Sequence, residues 1–134
     1  MGIKAIDHWV IVAGELQRTL DFYARLGFTI AWEKRPGRPD MATIRITDAQ
    51  KINVHAPDAP GRPDYLGARQ PTVGGADFCL EWQGTVDEVL ALLKRNDIVP
   101  EAGPGPRTCA RGTATSVYFL DPDDNLVELT VYDR

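Results

Sequence analysis

A strand, a helix and three strands follow one another twice along this chain of 134 residues. Setting His8 on Asp77, a shift of 69 positions, also sets Thr19 and Leu20 on Glu88 and Val89 without a gap. Identity across the pairing is slight, so the repeat is carried by the order and spacing of elements. In the first half, residues 6–12 alternate as a strand, and 14–26 carry Leu16, Leu20, Tyr23 and Ala24 at helical spacing with Gly27 as a stop. Strands are predicted over 28–32, 41–46 and 51–55, with a basic, Pro/Gly-rich loop at 34–39. Residues 56–75 have little periodicity and read as a long connection. The second half predicts a strand over 76–82 and a helix over 85–96, with Thr85 and Glu88 placed as a capping box. A short strand at Ile98 and Val99 and a loop over 103–112 follow. A closing hairpin then turns on Asp121, Pro122, Asp123, Asp124 and Asn125. The expected class is α+β: one domain over 1–134, with module one at about 1–57, a connecting loop at about 58–75 and module two at about 76–134.

Composition sets limits on function. Hydrophobic residues make up 43% and charged residues 25%, which suits a folded globular chain rather than a disordered one. A net charge of −4 without a basic stripe gives no case for nucleic acid. Cys79 and Cys109 lack CxxC spacing and read as small buried hydrophobes rather than a bridge. No apolar run approaches the length of a membrane span and the N-terminus has no signal pattern, so the expected location is cytoplasmic.

If the half-sheets curl toward one another, repeat-related residues converge. His8 opens the first strand of half one, His55 ends its last strand, Asp77 stands opposite His8, and Glu128 stands opposite residues 53–55. An ionised carboxylate inside an apolar strand must be paired, coordinated or at a solvent-facing rim. Two imidazoles and one carboxylate are the donors of non-haem Fe(II) sites, and they also suit Zn, Mn or Ni. Taken singly, each has a blander reading as a surface or hydrogen-bonded strand residue.

Four segments give the chain a resemblance: IDHWVIVAGELQRTLDFYARLGF, QKINVH, the strand–helix unit from 77 to 93, and YFLDPDDNLVELT. They resemble the vicinal oxygen chelate superfamily of glyoxalases, bleomycin-resistance proteins and extradiol dioxygenases. QKINVH and GGADFCLEW resemble its small stand-alone "virulence protein" branch. The last segment is similar to the family's DPDGN ending, with Asp124 where glycine is usual. The resemblance implies paired βαβββ modules in a cupped mixed sheet around one divalent ion: Fe(II), Zn, Ni or Mn. It implies His8 and Glu128 as ligands, with the first module's last strand supplying Asn53 or His55; imidazole chemistry favours His55. Histidine is common in the family where this chain has Asp77. Asp77 then completes an acidic site, serves as a base beside Glu128, or leaves three ligands. Arg45 and Arg107 are candidates to hold an anionic substrate, with Tyr118 lining the pocket. The expected activity is that of a metal-dependent dioxygenase or a glyoxalase-like lyase or isomerase, acting on a small substrate with neighbouring oxygens. The alternative is a metal-free, bleomycin-resistance-type binding protein. A homodimer is expected, with no nucleic-acid or membrane partner.

Overall fold

The computed structural model describes residues 1–133. The elements are β1 (His8–Val12), α1 (Leu16–Arg25), β2 (Thr29–Arg35), β3 (Arg38–Thr47) and β4 (Gln50–His55), then β5 (Asp77–Glu81), α2 (Val86–Arg95), β6 (Ala102–Cys109), β7 (Gly112–Leu120) and β8 (Leu126–Val131). Two compact units result, Met1–Gly75 and Ala76–Arg134. Each holds one four-stranded mixed sheet, in the orders β1-β4-β3-β2 and β5-β8-β7-β6. The outer pairs β1–β4 and β5–β8 are parallel, and the remaining pairs are antiparallel. Both units are therefore βαβββ with one topology, as the repeat predicts.

Local chemistry explains the helices. Glu15 caps α1, its carboxylate accepting from the amides of Gln17 and Arg18. Thr85 caps α2 in a complete capping box with Glu88. One face of each sheet is apolar. In the first unit Ile11, Ile44, Ile52 and Val54 share the buried interior with Leu20 and Tyr23 of α1. In the second, Val117, Phe119, Val127 and Leu129 share it with Val89, Leu92 and Leu93 of α2. Strand pleating sends the alternate residues, including all the candidate site residues, to the opposite face.

Three segments depart from expectation. Residues 103–112 were expected as a loop because of their glycines and prolines, yet most of them form β6. β6 lies at the sheet edge, where a missing amide costs no ladder bond. Its register shifts between Ala102 and Gly105, and Gly103 has φ of 90°, with the Ser116 carbonyl where a Cβ would stand. Ile98 and Val99 form no strand: Asp97 turns the chain at φ of 56°, Ile98 donates back to the Leu93 carbonyl, and Val99 is exposed. The basic loop shrinks to a turn at 36–37, because β2 runs through Arg35 and β3 begins at Arg38.

Candidate functional site

Register fixes which side chains are neighbours. In the first unit His8 lies opposite Lys51, Val10 opposite Asn53 and Val12 opposite His55. In the second, Asp77 lies opposite Leu126, Cys79 opposite Glu128 and Glu81 opposite Thr130. Asn53 therefore holds in its sheet the place Glu128 holds in the other, just as His8 corresponds to Asp77. Each unit presents one diagonal pair of donors, His8 with Asn53 and Asp77 with Glu128, at about 8 Å between Cα atoms from strand spacing and rise. His55 points to the same face but four residues further along than His8, about 13 Å away by strand rise. Among the described residues no group of three His, Cys, Asp or Glu side chains stands close enough to hold a metal.

His8 is half-exposed, and its Nδ1 lies 2.7 Å from Asp7 Oδ1. An imidazole that gives its Nδ1 proton to a carboxylate keeps Nε2 as its lone-pair donor, the usual arrangement of a metal-binding histidine. Through the same hydrogen bond His8 holds the Asp7 carboxyl below its ordinary range. Among the described residues Asn53 Oδ1 is buried without a hydrogen-bond partner. The donor types thus suit a hard or borderline divalent ion, although each unit by itself supplies only two.

Three of the expected site residues come together in the second unit. Glu128 lies between Cys79 on β5 and Tyr118 on β7. Arg107 Nε donates to the Tyr118 hydroxyl at 3.2 Å, with its guanidinium 5.3 Å from the ring centre. Desolvation and then the Glu128 carboxylate push the Cys79 thiol up to about 12, although the residue is exposed rather than the buried hydrophobe expected. The thiol is therefore protonated at neutral pH and a poor nucleophile. Burial also raises the Tyr118 phenol, with Glu128 adding to the rise against Arg107. Tyr118 is thus a neutral hydrogen-bond donor. Cys79 was not singled out from sequence as a neighbour of Glu128; its place two residues after Asp77 on the same strand face was the available signal.

Arg45, in the first unit, is already engaged. It pairs with Glu33 at 3.4 Å, and Lys51 Nζ donates to both Glu33 oxygens at 2.7 and 2.9 Å. Lys51, then Arg45, hold the Glu33 carboxyl below its ordinary range.

The first unit contains a cavity of about 450 Å³ with His8, Asn53 and His55 in its wall. His55 is half-buried, its Nδ1 has no hydrogen-bond partner among the described residues, and its ring meets Tyr65 edge-on at 5.7 Å. Desolvation, then the guanidiniums of Arg35, Arg62 and Arg38, push the imidazole below its ordinary value of 6.5. Because the unfolded chain binds that proton more readily, stability contributed by neutral His55 is present above pH 6.5 and is lost as pH falls below it. Melting temperature should accordingly fall between pH 7.5 and 5.5, and His55→Gln should flatten that slope in parallel thermal melts.

The comparisons agree with the repeated βαβββ fold. The family model for the Glyoxalase/Bleomycin resistance protein/Dioxygenase superfamily matches residues 5–129. Virulence protein STM3117 of Salmonella typhimurium is 34% identical over 133 residues, covering 98% of this chain and 87% of that protein. Its crystal structure aligns with a TM-score of 0.87 over 99% of this chain and 100% of that one. The glyoxalase domain-containing protein RDO1 of Mycosarcoma maydis is 32% identical, covering 98% of this chain and 70% of that protein. An integron cassette protein from Vibrio cholerae, 28% identical, aligns with a TM-score of 0.88 over 99% of this chain and 98% of that one. With a family match across nearly its whole length and a repeated βαβββ topology, the chain belongs to the Glyoxalase/Bleomycin resistance protein/Dioxygenase superfamily.

Proposed function

We propose that the protein is a divalent-metal-dependent enzyme acting on a small molecule with neighbouring oxygens, as a dioxygenase or as a glyoxalase-like lyase or isomerase. The observation that carries this reading is the Asp7–His8 pair at 2.7 Å, together with Glu128 kept inside an apolar strand. The proposed ligands are His8 and Glu128, with a third from β4. Chemistry favours His55 there; register and the three guanidiniums about His55 favour Asn53. A bound Fe(II), Zn, Ni or Mn ion would supply Lewis-acid stabilisation of a developing oxyanion. Asp7 would hold the His8 ring in one tautomer. Asp77, a diagonal neighbour of Glu128, is the proposed base. Tyr118, kept protonated and braced by Arg107, would donate a hydrogen bond to a substrate oxygen. Among the described residues no helix is long and apolar enough to cross a membrane. The proposed assembly is a cytoplasmic homodimer.

A metal-free, ligand-sequestering protein is the second reading. The amide of Asn53 in the place corresponding to the Glu128 carboxylate favours it. The test is to chelate the protein, reload it separately with Fe(II), Zn, Ni and Mn, and assay each form. The enzyme reading predicts oxygen uptake with catechols in the Fe(II) form or turnover of a 2-oxoaldehyde hemithioacetal in the Ni or Zn form. Activity that is equal in chelated and reloaded protein would contradict metal dependence, and absence of metal uptake would favour sequestration.

A further inference from the structure

The cavity of the first unit has an unbalanced charge. Its wall holds three guanidiniums, Arg35, Arg38 and Arg62, and two carboxylates, Asp40 and Asp64. Both carboxylates are already engaged: Asp64 by Arg38 at 3.2 Å and Asp40 by Lys34 at 2.9 Å. Arg62 is held from outside the wall by Asp58 at 3.1 Å. Arg35 donates its Nε to the Pro39 carbonyl at 2.9 Å, and among the described residues no carboxylate pairs with it. One positive charge is therefore left over, in a chain whose net charge is −4.

The remaining wall explains what such a charge would serve. Met41, on the same strand face as His55, and Tyr65, edge-on to the His55 ring at 5.7 Å, offer an apolar surface. Among the described residues His55 Nδ1 is a buried polar atom without a partner; such an atom costs stability unless something satisfies it, and as an N–H it can donate to a carboxylate. A volume of about 450 Å³ falls within the range of small-molecule sites. A planar guanidinium fork with free terminal amino groups matches a carboxylate in two parallel hydrogen bonds.

We propose that this cavity takes a small monoanion, a carboxylate on a flat apolar body, with the carboxylate on Arg35 beside His55 and the body against Met41 and Tyr65. This deepens the reading above by naming the substrate class, and it rests on that reading in treating the cavity as the ligand chamber. The three guanidiniums also make the His55 end of the cavity unsuited to a divalent cation. The cation and the anionic group of the ligand then occupy different ends of the same strand face, with His8 marking the first and His55 the second.

The test uses chelated, metal-free, 15N-labelled protein with benzoate as probe and benzamide as its neutral counterpart of the same shape. Benzoate should shift the His55 ring and Arg35 Nε signals saturably. Benzamide should bind about tenfold more weakly or worse, the scale of one charge-assisted hydrogen bond. Arg35→Gln should weaken benzoate by a similar factor while its remaining spectrum stays native. Arg35→Lys, which keeps the charge and loses the fork, should fall between. Equal binding of benzoate and benzamide, undiminished binding to Arg35→Gln, or no saturable shift in the cavity would each overturn the proposal. Since no metal is present, this result is independent of metal binding. If His8→Ala with Glu128→Ala abolishes metal uptake but leaves benzoate binding intact, the two readings stand or fall separately.

Discussion

Asp121→Ala is expected to destabilise the protein by about 3–5 kcal/mol, a large loss for one surface-distant turn residue. Asp121 is 4% exposed. Its Oδ1 accepts from the amides of Asp123 at 2.9 Å and Asn125 at 3.0 Å. Its Oδ2 accepts from Asn125 Nδ2 at 2.8 Å. The fully buried Asn125 in turn accepts from the Ala76 amide through Oδ1 at 2.9 Å, so the turn between β7 and β8 also fixes the entry to β5. Alanine would orphan three buried donors and loosen the link to Ala76. Urea unfolding checks this: a slope of about 2 kcal/mol/M implies a midpoint lower by about 1.5–2.5 M. Asp121→Asn, which keeps acceptor oxygen at one position, should lose less. Asp133→Ala, at an exposed position, should stay within about 0.5 kcal/mol of the parent. An unchanged midpoint for Asp121→Ala would mean that the turn does not anchor the second unit.

Glu128→Gln is expected to weaken divalent-metal binding by about 100-fold or more, since even residues that only support a ligand change affinity by 10–100-fold. The substitution keeps shape and removes charge, so the fold should persist. Its neighbours give an independent readout. Glu128 pushes up both the Cys79 thiol and the Tyr118 phenol, in each case after desolvation. Without that carboxylate both groups should titrate lower, with desolvation still holding the Cys79 thiol above its ordinary value. Metal titration by calorimetry, with ultraviolet titration of the thiolate and phenolate, checks both halves. Unaltered metal affinity in a variant whose Cys79 titration has moved would remove Glu128 from the ligand set.

Legibility in the sequence followed local chemistry. The closing hairpin could be read because Asp-Pro-Asp-Asp-Asn is turn chemistry between apolar strands. Asp124 takes the left-handed conformation at φ of 67°, which glycine adopts without strain and Asp tolerates. Both helices were legible from caps and periodicity. β6 was not, because Gly103, Pro104 and Pro106 signal a loop unless the strand is known to lie at an edge. Site residues were legible only as far as pattern reaches. His8 and Glu128 stand out as polar residues inside apolar strands. The choice between Asn53 and His55 depends on register against β1, which pairing alone supplies. Arg35, Arg38 and Arg62 read as solvated charge in turn-rich segments, and only the fold gathers them about one cavity. Arg45 is legible as a candidate to hold an anionic substrate, whereas its ion pair with Glu33 depends on a β2–β3 pairing that the sequence does not state.

Metal content is the most direct test of the central claim that His8 and Glu128 serve a divalent ion. Elemental analysis would follow chelation and separate reloading with Fe(II), Zn, Ni and Mn, for the parent protein and for His8→Ala combined with Glu128→Ala. The account predicts about one ion per chain in the parent with at least one of these metals, and loss of that ion in a double variant that still unfolds cooperatively. No ion retained by the parent under any loading, or full retention by the folded double variant, would contradict it.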